Sequence, residues 1–205
     1  MEKLTDLFPA LTESQKARYE AMEELYRTWN ARINVISRKD MDNLLTHHIL
    51  HSMAIAKVID FPSGSTVLDV GTGGGFPGIP LAVLFPEVRF TLCDSIGKKV
   101  KVAQAVAEGL SLENVTCVQA RAESLPGRFD YVVSRAVTDL ATFYPWVRDK
   151  FNRAIFYLKG GQLEAEIADC ARRCRIDPQK FFQVQISNWF RDPWFEGKKI
   201  VIISK

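Results

Sequence analysis

The chain has 205 residues, 47% hydrophobic and 25% charged, with a formal net charge of +3. That composition is ordinary for a soluble globular protein and long enough for one α/β domain with a helical extension and a substantial core. No apolar run reaches the length of a membrane span, and Met1-Glu-Lys-Leu-Thr-Asp6 lacks the basic-then-apolar layout of a secretion signal, so a cytoplasmic protein with no membrane partner is expected.

The small positive excess permits a polyanionic partner without demanding one. The four cysteines read as reduced thiols. Cys93 and Cys117 lie in apolar strand-like runs, as small buried hydrophobes do. Cys170 and Cys174 are one helical turn apart, but no further ligands cluster near them in sequence, so no metal site is expected. Internal repeats and low-complexity tracts are absent from the sequence.

Residues 12 to 32 carry Tyr19, Met22, Leu25, Tyr26 and Trp29 at helical spacing with charges between them, which predicts an amphipathic helix with its aromatics in the core. Asn34-Val-Ile-Ser-Arg-Lys-Asp40 breaks the pattern. A second helix is expected from about Asp42 to Ile59, ended by Pro62 and Gly64. Residues 1–64 thus read as an N-terminal helical cap on a core of residues 65–205, a single compact domain in all. The three histidines, His47, His48 and His51, fall in the second helix. His47 and His51 have the spacing to chelate a metal or reach phosphate; with no carboxylate or cysteine close in sequence, a polar face with one packed imidazole is favoured.

At residues 66–80 the run Thr66-Val-Leu-Asp-Val gives way to Gly71-Thr-Gly-Gly-Gly-Phe-Pro-Gly-Ile-Pro80, which reads as a strand, a tight turn and a helix start. Glycines let a backbone approach a ligand, and the helix start is expected to offer unpaired N–H groups above the strand end. Two cofactor frames fit. Gly73-x-Gly75-x-x-Gly78 satisfies the dinucleotide fingerprint, with a pyrophosphate at the helix N-terminus. Asp69-x-Gly71-x-Gly73-x-Gly75 suits S-adenosyl-L-methionine, whose zwitterionic tail has no phosphate and whose ammonium group a nearby carboxylate orients. The second frame is preferred; a glycine-rich turn in an unrelated α/β protein is the bland alternative.

From residue 66 onward strands and helices alternate, which predicts the α/β class: a Rossmann-like, mostly parallel seven-stranded sheet with helices on both faces. A helix over Pro77–Phe85 and a strand over Arg89–Cys93 lead to Asp94, placed to accept hydrogen bonds from ribose hydroxyls or to cap the next helix, Gly97–Gly109. That helix opens Lys98-Lys99-Val-Lys101, three cations opposing the helix dipole. A solvated surface and a phosphate-facing edge account for them equally well. A strand over Val115–Gln119 closes in Ala120-Arg-Ala-Glu123, where backbone groups and an acid can read an adenine edge.

The strand Phe129–Val137 delivers Ser134 and Arg135 to the same carboxyl edge. Arg135 has two tasks open to it, closing over a cofactor carboxylate or holding an RNA phosphate. A helix over Leu140–Phe151 and a strand over Ala154–Leu158 follow, with Lys159 at the strand end, either near the site or snorkelling from the terminus. Glu164–Arg175 reads as a helix, then Phe181–Ser187 and Lys198–Ser204 as a closing antiparallel pair. The aromatic loop between them, around Trp194 and Phe195, is expected to pack on the sheet edge in preference to stacking a base.

The words Asp69-Val-Gly-Thr-Gly-Gly-Gly-Phe-Pro-Gly-Ile-Pro80, Thr91-Leu-Cys-Asp-Ser95, Gly97-Lys-Lys99, Leu112-Glu-Asn-Val115, Arg121-Ala-Glu123, Ser134-Arg-Ala136 and Leu158-Lys-Gly160 together resemble the RsmG (GidB) family of bacterial small-subunit ribosomal RNA methyltransferases. The likeness extends to Trp29-Asn30, Asn34 and His48-Ile-Leu50 and covers most of the chain. It implies methylation of a guanine N7 in 16S ribosomal RNA with S-adenosyl-L-methionine as cofactor. Gly71, Phe76, Ala122, Glu123 and Arg135 would contact the cofactor alongside Gly73 and Gly75, Asp94 would take the ribose, and Lys159, Arg121 and Lys98 would face the substrate. The implied partner is 16S ribosomal RNA or a small-subunit assembly particle, met by a monomer. One departure stands out: the family's H-x-x-D-S word has His51 in place of its acid before Ser52.

Guanine N7 is already a nucleophile, so such a reaction requires no catalytic base, and the sequence holds no Ser/His/Asp set or paired catalytic carboxylates. The A-form major groove is too narrow for side chains, so the target base would sit in a loop or be unstacked. Rival readings are a nicotinamide oxidoreductase on the other glycine frame, a methyltransferase for another RNA, a small molecule or a protein, and a non-catalytic RNA binder.

Overall fold

The computed structural model describes residues 4–205; residues 1–3 of the expected cap lie outside the described residues. Seven strands form: β1 Thr66–Val70, β2 Arg89–Asp94, β3 Val115–Gln119, β4 Phe129–Arg135, β5 Phe151–Gly160, β6 Phe181–Gln185 and β7 Lys198–Ser204. They make one sheet in the order β3-β2-β1-β4-β5-β7-β6. Neighbours among β1 to β5 pair parallel, whereas β7 runs antiparallel to both β5 and β6. The sheet is therefore mostly parallel, and β1 to β4 end on one edge.

Successive residues of β1 point to opposite faces and enter different cores, Val67 on one side and Leu68 and Val70 on the other. On the Val67 face lie helices α1 Leu4–Leu7, α2 Glu13–Asn30, α3 His51–Met53, α4 Gly78–Leu84 and α5 Gly97–Gly109; on the other lie α6 Leu140–Val147 and α7 Glu164–Cys174. A strand buried on both faces is expected to be a continuous apolar run, which is how β1 reads from Val67 to Val70 apart from Asp69.

Helix α2 begins at a capping box: Gln15 N–H donates to Thr12 Oγ1 at 3.2 Å and Thr12 N–H to Gln15 Oε1 at 2.9 Å. The Gln15 amide nitrogen also donates to the carbonyls of Val83 and Leu84, each at 3.0 Å, at the end of α4. One glutamine thus starts one helix and satisfies the end of another. Tyr19, Met22 and Tyr26 are buried beneath it, as the sequence pattern predicts.

Four of the differences from the sequence-based expectation bear on the site and its surroundings. The second helix is not a regular α-helix: a 3-10 turn over Arg38–Asn43 leads into a π-helix over Leu44–Leu50, then α3, then a 3-10 turn over Ala54–Lys57. A π turn holds more residues than an α turn, so adjacent side chains fan apart less, and His47 and His48 both reach Asp40. Strand β4 stops at Arg135 because Ala136 takes a left-handed φ of 49°. Helix α6 ends at Val147, short of Phe151, which is buried and paired with Phe129 as the first residue of β5. Strand β5 in turn runs on to Gly160 because β7 pairs along its length, Gly160 against Lys198.

Candidate active site at four strand ends

A cavity of about 570 Å³ opens where the carboxyl ends of β1 to β4 meet. Sheet order arranges its walls. Arg121, Ala122 and Glu123 follow β3 at one end; Asp94, Ser95 and Ile96 follow β2; Gly71 to Gly74 and Phe76 follow β1; Arg135, Ala136 and Val137 close the far end after β4. Lys99, Trp146 and Val35 add to the lining from α5, α6 and the N-terminal segment.

The glycine loop is held from below. Asp69 is fully buried, and its Oδ2 accepts from Thr72 Oγ1 at 2.6 Å and from Gly78 N–H at 2.8 Å. Burial pushes this carboxyl up to about 7, against the lowering effect of those two hydrogen bonds. The strand acid is thus turned inward, not toward a ligand. A Cβ on Gly78 would sit 2.7 Å from that oxygen, so glycine is required there.

The expected free N–H groups at the start of α4 are also absent. Pro77 and Pro80 have none, Gly78 donates to Asp69, and Ile79 donates to the Gly75 carbonyl at 2.8 Å. No donor in that turn is left for a pyrophosphate, so the dinucleotide frame fails. Gly73, at φ 58°, faces open space: a Cβ there would meet nothing within 4 Å. Gly75 does not line the cavity, because its would-be Cβ points at Ile79 and the Tyr26 hydroxyl.

Asp94, 8% exposed, accepts from Gly73 N–H at 3.0 Å through Oδ2 and from Ile96 N–H at 2.9 Å through Oδ1. It ties the glycine loop to the turn after β2. Each oxygen keeps a lone pair for a further donor.

Phe76 is the hub of the other end. Its ring stacks on Tyr26 at 4.7 Å, meets His48 at 5.1 Å and carries the Arg135 guanidinium 4.9 Å above its centre. Arg135 donates through Nη1 to the His47 carbonyl at 3.1 Å and through Nη2 to His48 Nδ1 at 3.0 Å. Burial lowers its pKa to about 10, still protonated at neutral pH. Asp40 receives both imidazoles, His47 Nδ1 at 2.5 Å and His48 Nε2 at 2.6 Å. Burial would raise the Asp40 carboxyl, but the two histidine hydrogen bonds outweigh it and hold the group low. Burial, aided by Arg135, pushes His48 down to about 4 and His51 well below its ordinary range, so both are neutral.

The polar face expected for these histidines therefore needs correction. A carboxylate does sit beside them, seven and eight residues upstream. His51 is 7% exposed, edge-on to Trp194 at 5.1 Å, and His47 stacks on Trp194 at 4.1 Å. The aromatic loop packs on the cap, with Phe190 and Phe195 fully in the core. Among the described residues no set of three His, Cys, Asp or Glu side chains is arranged to hold a metal ion.

Two expected substrate residues lie outside the cavity. Lys159 turns away from it: the ammonium donates to the Thr138 carbonyl at 2.9 Å and pairs with Glu166 of α7, leaving the side chain 10% exposed. Lys98 is exposed on the outside of α5, and its neighbour Lys99 is the one that reaches the wall. Arg121 stays on the rim, its side chain 78% exposed and 4.0 Å from Glu123.

Sequence reasoning missed Ile96, Val35 and Trp146. Ile96 had a signal, since it is the first apolar residue after the strand-end acid, and it remains 41% exposed. Val35 is held by Asn30, whose Oδ1 accepts from Val35 N–H at 2.8 Å and Ile36 N–H at 2.9 Å. Nothing local marks Trp146, which only the docking of α6 brings to the wall.

Comparison with known proteins agrees with this architecture. Residues 15–189 match the family model described as GidB, rRNA small subunit methyltransferase G. Ribosomal RNA small subunit methyltransferase G of Flavobacterium psychrophilum is 52% identical over 98% of this chain and 96% of its own length. The Flavobacterium johnsoniae protein of the same description is 49% identical over the same shares. Among solved structures, magnesium protoporphyrin IX methyltransferase from Synechocystis, determined with bound SAM, superposes with a TM-score of 0.61 at 16% identity, covering 96% of this chain and 99% of that one. That likeness concerns the fold, a Rossmann-like methyltransferase sheet. The family match spans most of the chain, so the protein belongs to the rRNA small subunit methyltransferase G family.

Proposed function

We propose that the chain transfers a methyl group from S-adenosyl-L-methionine to N7 of a guanine in 16S ribosomal RNA. One observation carries the cofactor assignment: the order along the cavity of an exposed acid, a ribose-height acid, an open glycine backbone and an arginine matches adenine, ribose and a zwitterionic tail laid end to end. The residues fit that group. Glu123 and Ala122 would take the adenine edge, with Ile96 against its face; Asp94 would take the ribose hydroxyls; Gly71 and Gly73 would lie along the tail; Arg135 would meet its carboxylate.

When bound, this cofactor supplies an electrophilic methyl on a sulfonium. Guanine N7 carries its own lone pair, so no side chain is required to remove a proton. The chain contributes alignment and exclusion of water, effects worth roughly 7 to 11 kcal/mol in well-oriented reactions. Phe76 and Arg135 fix one wall, and the segment before β1 covers the cavity through Val35. Arg121 and Lys99 form a cationic rim for RNA phosphates at the opposite end, with Lys98 beyond it on the exposed side of α5. Lys159 supports the Ala136–Asp139 loop from behind and is not given a substrate contact.

The target base would be unpaired, presented on free 16S RNA or an assembling small subunit, by a monomeric cytoplasmic enzyme. The test is transfer of labelled methyl groups into RNA from cells lacking this protein, followed by nucleoside analysis. Label recovered as 7-methylguanosine is expected; label in another nucleoside, or none, would overturn the assignment.

A further inference from the structure

Among the described residues no carboxylate holds the guanidinium that closes the cavity. Its two nearest partners are a backbone carbonyl, that of His47, and an imidazole nitrogen, His48 Nδ1. An arginine is always a donor, so Nδ1 must offer a lone pair. A neutral imidazole has one ring proton, and here it must lie on Nε2, which meets Asp40 Oδ2 at 2.6 Å. The other Asp40 oxygen receives His47 Nδ1 at 2.5 Å. Hydrogen bonds thus run from Arg135 through His48 into Asp40, where His47 donates from the other side, and they join the cavity wall to the face of Trp194.

That direction has a physical consequence. With the proton on Nδ1, the ring would point N–H at N–H and drive the guanidinium off the Phe76 face. The Asp40 carboxylate excludes that state by accepting at Nε2. We infer that His48 and Asp40 are positioning residues, which fix the ring tautomer so that Arg135 is presented to the cavity for the cofactor's carboxylate. Neither touches the reacting atoms. Two N–H groups of Arg135 are spent on the cap segment, and the others have no hydrogen-bond partner among the described residues. Among the described residues Arg135 is also the only cation that lines the cavity on the β4 side, Lys99 and Arg121 belonging to the elements after β2 and β3. The inference rests on the cofactor reading above, and its test separates the two.

Two ligands differ by the part in question: S-adenosylhomocysteine has the amino acid tail, and 5′-methylthioadenosine has the same adenosine and sulfur without it. Calorimetric titration is expected to show that Asp40→Ala and His48→Leu weaken S-adenosylhomocysteine roughly tenfold or more while 5′-methylthioadenosine stays within about twofold of wild type. His48→Asn, whose side-chain oxygen can take the Nδ1 place as acceptor, should recover much of the loss. Retained 5′-methylthioadenosine binding certifies that each variant is folded. In the wild-type protein, ¹⁵N spectra of the His48 ring at neutral pH should show a protonated Nε2 and a bare Nδ1, a readout independent of any ligand.

Equal loss for both ligands, or no loss for either, overturns the positioning role. So does a His48 ring protonated on Nδ1. If the wild-type protein binds neither ligand, the cofactor reading itself falls and takes this inference with it.

Discussion

The phenol of Tyr26 donates to the carbonyl of Gly74 at 2.9 Å, joining residues 48 positions apart. One belongs to the N-terminal helix α2, the other to the loop after β1. Burial holds the Tyr26 hydroxyl well above its ordinary pKa, so it remains a donor. A second phenol on the same helix, Tyr19, reaches the Pro80 carbonyl at 2.8 Å. The glycine loop thus takes its shape from two sides, Asp69 beneath and α2 above.

Tyr26→Phe keeps the ring against Phe76 and removes only the hydroxyl, leaving a buried carbonyl without its partner. We expect a loss of about 1 to 2 kcal/mol in urea denaturation, with weaker S-adenosyl-L-methionine binding. Unchanged stability and affinity together would show that the loop does not depend on this bond.

Asp94 serves two backbone donors on separate oxygens, Gly73 N–H and Ile96 N–H. Asparagine has one acceptor oxygen and can satisfy only one of them. Asp94→Asn should therefore raise the cofactor dissociation constant at least roughly tenfold, about 1.4 kcal/mol, measured by calorimetry. Wild-type affinity would remove Asp94 from the binding surface.

Lys159 is paired with Glu166, whose Oε1 also accepts from the Leu140 N–H at 2.7 Å at the start of α6. Lys159→Met should cost about 2 kcal/mol of stability by leaving that carboxylate half-satisfied. Partial exposure of Glu166 screens the pair and keeps the loss below that of a fully buried one. Adding Glu166→Gln should then cost far less than it does alone. Wild-type stability in Lys159→Met, with RNA methylation lost, would return Lys159 to the substrate side.

Asp69 carries a pH dependence of definite sign. Its carboxyl rises from 3.8 to about 7 on folding, so the folded state holds a proton the unfolded chain has released. That contribution to stability is complete below pH 3.8 and is lost as pH rises through about 7. His48, lowered from 6.5 to about 4, acts oppositely, adding stability above 6.5 that is lost as pH falls through about 4. The difference between wild type and Asp69→Asn isolates the first group. Asp69→Asn should flatten the decline between about pH 4 and 7, and parallel curves would mean that Asp69 is ionised in the folded protein throughout.

Much of the site was legible because it lies at strand ends. In a parallel sheet every strand delivers its carboxyl end to one edge, so Gly71, Asp94, Glu123 and Arg135 could be assigned to a common cavity from their places after successive apolar runs. Residue type and position in chain order were sufficient for that inference, and for the α/β class itself.

Which partner each polar group takes was decided only by the folded chain. Asp69 and Lys159 both sit where sequence puts ligand-binding residues, yet Asp69 Oδ2 is taken by Gly78 and Thr72 with Oδ1 buried beside it, and the Lys159 ammonium is taken by Glu166 and Thr138. Asp40 reads as a loop acid until a π turn brings two imidazoles to it. Order along the chain determines what chemistry is present. A carboxylate or ammonium offers few bonding directions, and whether these face the protein or the cavity depends on distances between elements that pack only in three dimensions.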